Sequence, residues 1–282
     1  MSSTIAFQGD LGSYSHQASV EAFPDHAPVP CTTFEDALAA VREGRADLGM
    51  IAIENSTYGR VADVHRLLPH SGLRIVGEAF VRVRIALMAR AGVRLEDIKR
   101  VRAHLVLLPQ CAAFLREHGI QGEPAADSAG AASELARSEL TDEGVLASEL
   151  AASIHGLEVL ARDIEDHGHN TTRFLVMARE PQVPPPGAGP VKTTFVFQVR
   201  NIPAALYKAM GGFATNGVNM TKLESYMIDG RFTATQFYAD IEGHPEDPPV
   251  ARALEELRYF TTKLDILGVY PADPDHFDGG AD

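Results

Sequence analysis

Positive charge is in short supply along this chain: 25 lysines and arginines stand against 38 aspartates and glutamates, a formal net charge of -13. Nucleic-acid recognition needs a basic footprint that displaces counterions from phosphates, so this balance argues against such a partner. A small anion stays open as a ligand, because a few arginines can reverse the field inside a cleft. Cysteine is scarce as well. Cys31 and Cys111 stand far apart, which builds neither a disulfide framework nor a metal cluster and fits a reducing, cytoplasmic setting. No apolar run is long enough to span a bilayer, so no membrane segment is expected. The opening Met1-Ser2-Ser3-Thr4 has no basic region or long apolar stretch, and no signal peptide is expected. His167 and His169 lack a third ligand at a recognisable spacing, so no metal is expected either.

What is present is apolar residue, 45% of 282, enough for a sizeable core and about two domains. The clearest boundary is 181–190, PQVPPPGAGP, where five prolines and two glycines in ten residues deny regular structure. Before it, strands are expected at 4–7, 48–53, 80–88, 101–108, 144–147 and 173–177, with an extended piece at 74–76. They alternate with a loop and helix over 12–22 and helices at 34–42, 62–68, 109–117, 128–137 and 148–154. This α/β body, residues 1–180, is either one doubly wound sheet or two lobes joined near 77–88, with a ligand cleft between them.

After the linker, strand 193–200, helix 204–216, strands 219–226 and 233–241 around an Asp229-Gly230 turn, helix 250–257 and strand 264–270 follow the ferredoxin-like βαββαβ order. Two helices cover one face of such a sheet. The other face stands open and is expected to meet something, commonly a copy of itself. The acidic end, 272–282, is expected to fray.

Three polar segments could carry chemistry. Gln8-Gly9-Asp10-Leu11-Gly12-Ser13-Tyr14-Ser15 follows the first strand, and its glycines and helix-start N–H groups suit an anion. Its spacing is neither GxGxxG nor a P-loop, so nucleotide readings are weak, and a plain turn with an N-cap serine is the simpler alternative. Glu54-Asn55-Ser56 ends an apolar strand, where α/β folds place their binding crevice, although Ser56 or Thr57 could simply cap the next helix. Asn170-Thr171-Thr172-Arg173-Phe174 sets a hydroxyl beside a guanidinium where a polar loop becomes a strand. Arg173 can grip a carboxylate bidentately, and Thr172 can donate to a leaving oxygen if it is well positioned. Alternating polar residues on an ordinary strand would look the same. His104 in its apolar run and Cys111 beside alanines read more simply as structural residues.

Taken together, FQGDLGSYSHQA, ADLGMIAIENSTYGRV, GLEVLARDIEDHGHNTTRFLVMA and VKTTFVFQVRN followed by GVNMTKLES resemble the monofunctional prephenate dehydratase family, over about residues 4–270. The resemblance implies a two-lobed, periplasmic-binding-protein-like catalytic domain over 1–180, with the second lobe at about 78–156. It implies an ACT regulatory domain over 191–271, with the linker and acidic tail as above. It implies decarboxylating dehydration of prephenate to phenylpyruvate in the cytoplasm, without a cofactor. Thr172 is the residue carried over as catalytic. Substrate contacts fall on Arg173, Phe174, Gly12, Ser13, Ser15, Glu54, Asn55, Ser56 and, in the stretch ADSAGAA, Ser128. L-phenylalanine is the implied effector, at Ala204, Ala205, Leu206, Asn216, Gly217, Asn219, Glu224 and Ser225, and a homodimer or homotetramer the implied assembly. Arogenate dehydratase is the neighbouring enzyme reading, and a non-catalytic amino-acid sensor the alternative from another class.

The chain departs from the family pattern in three places. Ser-His-Pro-Gln becomes Ala103-His104-Leu105-Val106, Gly-Ala-Leu becomes Ala204-Ala205-Leu206, and Glu-Ser-Arg-Pro becomes Glu224-Ser225-Tyr226-Met227.

Overall fold

The structure is a computed structural model that describes residues 3–227 and 234–276. It contains two compact units, Met1–Val64 with Ala79–Phe174, and His65–Glu78 with Leu175–Asp282. The division therefore does not follow chain order, because residues 65–78 pack with the C-terminal strands.

The first unit is α/β and rests on two sheets. In the first sheet, β1 (Thr4–Gln8) lies between β2 (Ala27–Cys31) and β3 (Leu48–Asn55), all parallel, with α1 (Tyr14–Ala22) and α2 (Phe34–Arg42) as crossovers. Ser13 and Thr33 accept from the N–H groups of His16 and Asp36, which is why the helices begin where they do. A short β4 (Gly59–Arg60) folds back on the end of β3, with Gly59 opposite Asn55. After α3 (Ala62–Leu67) and β5 (Arg74–Arg82) the chain crosses to the second sheet. That sheet has β6 (Ala86–Ala89), β7 (Arg100–His104), β8 (Gln121–Ala125), β9 (Glu143–Ala147) and β10 (Glu158–Ala161) in the order β10-β6-β9-β7-β8, packed with α4 (Ala112–Glu117), α5 (Ser128–Arg137) and α6 (Glu149–His155). The chain returns through β11 (Thr171–Ala178), beside β3. The two crossings hold each other: Val83 N–H donates to the Asn170 carbonyl at 2.8 Å and Ile164 N–H to the Ile85 carbonyl at 3.1 Å.

Several boundaries differ from the sequence reading for physical reasons. The strand expected over 80–88 is broken at 83–85, where the chain crosses between sheets. The strand expected over 101–108 stops at His104, turns, and enters a 3-10 segment Leu108–Cys111 before α4. Strands β2, β8 and β10 were not expected. β2 and β8 carry proline, which an edge strand tolerates because its outward N–H needs no partner, and both are edges.

The second unit runs β12 (Val191–Val199), α7 (Ala205–Thr215), β13 (Met220–Met227), β14 (Ala234–Glu242), α8 (Pro248–Phe260) and β15 (Thr261–Pro271), with sheet order β13-β14-β12-β15. This is the expected βαββαβ order. Phe195, Phe197, Phe237 and Ile241 face α7 and α8, burying Ala209, Phe213, Leu254 and Leu257. The Asp229-Gly230 turn and residues 277–282 lie outside the described residues.

The opposite face of this sheet does not stand open as expected. Residues 65–78 of the same unit meet it. Glu78 receives the buried Lys192 ammonium at 2.9 Å, and His65 packs edge-on against Tyr238 with ring centroids 5.0 Å apart. A cation buried without a partner is strongly destabilising, so Lys192 on β12 ties this segment to the sheet. Among the described residues no helix is long and apolar enough to cross a membrane.

Candidate functional site

A cavity of about 510 Å³ opens in the first unit, where loops from both sheets converge. Its walls follow the C-terminal ends of parallel strands, the usual place for a ligand in α/β folds. Gly12, Ser13 and Ser15 come after β1, Asn55 and Arg60 at and after the end of β3, and His104 at the end of β7. Asp127 and Ser128 follow β8, Ser148 follows β9, and Asn170 and Thr172 mark the start of β11. Of the residues expected to act on substrate, the cavity thus gathers Thr172, Gly12, Ser13, Ser15, Asn55 and Ser128.

The hydroxyl of Thr172 has a defined direction. Asn55 Oδ1 accepts from the N–H groups of Thr57 at 2.9 Å and Tyr58 at 3.0 Å. Its other end must then be the amide NH₂, which donates to Asn170 Oδ1 at 2.6 Å and to Thr172 Oγ1 at 3.0 Å. The Asn170 NH₂ in turn donates to Gln110 Oε1, and Gln110 Nε2 to the Val106 carbonyl at 2.8 Å. Thr172 therefore accepts from Asn55, and its own O–H proton remains for whatever occupies the cavity.

Glu54, Ser56, Arg173 and Phe174 do not line the cavity. Successive strand side chains point to opposite faces. With Asn55 and Thr172 turned to the cavity, Glu54 and Arg173 turn away, and they meet each other at 2.9 Å. Arg173 is buried there, so the grip on a ligand carboxylate expected of it is directed at Glu54 instead. Ser56 stitches two loops, donating to the His169 carbonyl at 2.7 Å and accepting from Thr171 N–H at 2.9 Å. Phe174 is buried in the core.

The glycine loop is locked by its surroundings. Gly12 has φ 97°, and a Cβ there would lie 2.7 Å from the Ala151 Cα. Ser148 Oγ donates to the Gly12 carbonyl at 2.6 Å. The Gly12 N–H is not open to an anion, since it donates to His16 Nδ1 at 3.0 Å, and the Ser13 N–H donates to the Asp10 carbonyl at 3.1 Å. The N–H groups of Tyr14 and Ser15, at the start of α1, are the ones with no acceptor within the helix. Burial pulls the His16 imidazole below its ordinary value, consistent with a neutral ring that accepts from Gly12. Burial pushes the Cys111 thiol up to about 12, which removes it as a nucleophile at neutral pH. Ser128 Oγ accepts from the His104 N–H at 2.9 Å, and His104 Nδ1 accepts from Val106 N–H at 3.3 Å.

The sequence reading did not single out Arg60, Asn170 or Ser148 as site residues. Asn170 was within reach, because it shares a strand face with Thr172 two residues on. Arg60 was not, because only the reversal at Gly59 brings it to the cavity wall. Among the described residues no group of three or more His, Cys, Asp or Glu could hold a metal ion.

The residues expected to bind an effector lie in the second unit. Ala204 precedes α7 in the left-handed region, φ 61°. Ala205 starts the helix and Leu206 packs on the core. Asn216 is held by Arg252 at 2.8 Å, Gly217 follows it at φ 66°, and Asn219 donates to Glu242 at 3.0 Å. Glu224 pairs with Lys222 at 3.5 Å, while Ser225 takes the other face of β13.

A family model described as prephenate dehydratase matches residues 5–182. A Komagataeibacter europaeus protein named as a bifunctional N-acyl-homoserine lactone acylase/prephenate dehydratase is 51% identical over 271 residues, 96% of each chain. A solved structure described as GqqA, a novel type of quorum quenching acylase, superposes with TM-score 0.92 at 50% identity, over 97% of this chain and 100% of the other. The Arthrobacter aurescens prephenate dehydratase, solved in complex with L-Phe, superposes with TM-score 0.88 at 34% identity, over 97% and 91%. With more than half its length matched by the family model and relatives this similar along nearly all of it, the chain belongs to the prephenate dehydratase family of enzymes.

Proposed function

We propose that this enzyme converts prephenate to phenylpyruvate, with loss of water and CO₂, in the cavity of the first unit. The observation that carries the reading is the Thr172 hydroxyl, held as an acceptor by Asn55 so that its proton faces the cavity. In the reaction the ring C–O bond breaks, the electron pair of the bond to the ring carboxylate enters the ring, and CO₂ leaves. Aromaticity drives both changes. The departing oxygen takes up one proton to become water. Thr172 supplies the hydrogen bond and passes on that proton, which solvent then restores. A donor aimed in advance at developing negative charge is worth most where water is excluded. Ser13, Ser15 and the first amides of α1 surround the carboxylate end. Arg173 is a positioning residue in this reading, holding Glu54 and with it the end of β3. No cofactor takes part.

In the same reading, residues 1–180 form a two-lobed, periplasmic-binding-protein-like catalytic domain. Residues 191–271 form an ACT domain that binds phenylalanine near 204–206, 216–219 and 224–225. The βαββαβ order supports the ACT assignment, and the Arthrobacter relative was solved with L-Phe. A cytoplasmic homo-oligomer goes with this reading.

Two relatives are named as acylases, one of them of N-acyl-homoserine lactones, which makes hydrolysis of the amide bond of such a lactone the second reading. Against it, among the described residues, no cavity serine is hydrogen-bonded to a histidine ring. Side-by-side assays with prephenate, arogenate and an N-acyl-homoserine lactone test both readings, with L-phenylalanine titrated into each. We expect phenylpyruvate from prephenate and a phenylalanine-dependent rate. Release of homoserine lactone and a fatty acid without phenylpyruvate would overturn the dehydratase reading.

A further inference from the structure

We infer that Gln110 is a positioning residue for the proton donor Thr172, acting on it through Asn170 and Asn55. The inference rests on the dehydratase reading of this cavity and adds to it a residue that works through others rather than on the reacting atoms. The Thr172 hydroxyl accepts from the Asn55 NH₂ group at 3.0 Å. Whatever fixes that amide therefore fixes where the Thr172 proton points.

Three side-chain amides run head to tail between main-chain groups. At one end the N–H groups of Thr57 and Tyr58 donate to Asn55 Oδ1 at 2.9 and 3.0 Å. The Asn55 NH₂ donates to Asn170 Oδ1 at 2.6 Å, and the Asn170 NH₂ to Gln110 Oε1. At the other end Gln110 Nε2 donates to the Val106 carbonyl at 2.8 Å. A main-chain N–H only donates and a carbonyl only accepts, so both ends have a fixed polarity. Turning any one amide over sets oxygen against oxygen on one side and NH₂ against NH₂ on the other. Hydrogen bonds in such a run also polarise one another. Asn170 is buried, so its NH₂ group is costly to leave without the Gln110 acceptor.

Gln110 is itself held in place. It sits in the 3-10 segment Leu108–Cys111, its N–H donating to the Leu107 carbonyl at 3.1 Å and its carbonyl accepting from Asp166 N–H at 2.6 Å. The Val106 carbonyl that it meets also accepts from the Tyr58 hydroxyl at 2.9 Å. The loop after β3 thus supplies the first donor of the run and also ties down its last acceptor. Asn55 and Thr172 belong to strands β3 and β11 of the first sheet, whereas Gln110 follows β7 of the second. Thr172 is therefore aimed only while the segment after β7 is seated against the start of β11. With Gln110 gone, the Asn170 amide turns toward another acceptor and its NH₂ meets that of Asn55. Asn55 then loses the bond that keeps its NH₂ between Asn170 and Thr172.

The test is steady-state kinetics on prephenate with the full chain, its Gln110→Met and Thr172→Val variants and the double variant. We expect Gln110→Met to lose about tenfold in kcat with KM within about twofold of wild type. In the Thr172→Val background the same change should cost nothing further, because the group it aims is already missing. Equal losses in both backgrounds would mark a general structural defect and overturn the inference, as would a loss confined to KM. Gln110→Glu keeps the shape and the acceptor for the Asn170 NH₂, so it should lose less than Gln110→Met; a loss as large would count against the run of amides. Hydrogen exchange of the Asn170 side-chain NH₂, followed by NMR with its signals identified through Asn170→Asp, reads the same network without turnover. Exchange should be about tenfold or more faster in Gln110→Met than in wild type, and an unchanged rate would overturn the inference. A wild type inactive on prephenate would sink the dehydratase reading, while the exchange rate still decides whether Gln110 holds Asn170.

Discussion

Two corners of this molecule carry family motifs, and they keep them differently. Around Thr172 the motif side chains survive, although the nearby segment 103–106 has changed, and each hydrogen bond has one possible direction, from the loop amides to Asn55 and from Asn55 to Thr172. In the second unit, at 204–206 and again at 224–227, the backbone order survives while key side chains have changed. Ala204 occupies a left-handed position where the family has glycine, and Tyr226, where the family has arginine, is hydrogen-bonded to the buried His65 at 2.7 Å. The first corner preserves a chemical direction. The second preserves a scaffold. A motif is evidence for chemistry only where its polar groups are still aimed.

Substitutions can break this contrast or sharpen it. The largest effect is expected for Thr172→Val, which removes the donor and keeps the shape: kcat for prephenate should fall by about 10²–10³ with thermal stability nearly unchanged. Near-normal turnover would remove Thr172 from the chemistry. Asn55→Asp comes next. A carboxylate cannot donate to Thr172, so kcat should fall by about 10–100-fold, and steady-state kinetics would read it. Gly12→Ala should cost about 2 kcal/mol of stability from the left-handed φ and the clash with Ala151, measurable by denaturant unfolding. At the other corner the sign reverses. Ala204→Gly should stabilise by about 0.5–1 kcal/mol, because glycine takes φ 61° without strain, and it should strengthen any response to phenylalanine. A destabilised Ala204→Gly protein would show that the methyl group packs usefully there.

The smallest effect is a pH dependence at His16. Its folded-state value lies below the unfolded one because burial disfavours the imidazolium. The unfolded chain therefore binds the extra proton first, and stability should fall as pH drops below about 6.5. His16→Gln, which keeps an acceptor for the Gly12 N–H, should flatten that part of the melting-temperature profile. An unchanged profile would mean that other groups set the acid limb.

Most helices were legible because their signals are local: Thr33 before 34–42, Asp127 before 128–137 and Ser148 before 149–155 cap the backbone within three residues. Two of the unexpected strands, β2 and β8, are edges whose prolines hide them, since only the neighbouring strand reveals that a missing N–H costs nothing there. The candidate site was legible as a set of residue types. Its membership was less so. Arg173 looked like the ligand's cation because it is next to Thr172 in sequence, yet adjacency on a strand places the two on opposite faces. Arg60, five residues past Asn55, reaches the wall through the hairpin.

By itself the sequence determined the α/β character, the βαββαβ order of the second unit, the helix starts and the polar segments that gather at strand ends, because each depends on a short span of residues and its periodicity. Only the tertiary structure decided that Thr172 accepts from Asn55 and so presents its proton, that Arg173 is held by Glu54, and that residues 65–78 cover the sheet face expected to await a copy. Those outcomes depend on groups far apart in the chain, such as Lys192 and Glu78 separated by 114 positions, and a buried charge or amide takes its partner from whatever the fold brings near.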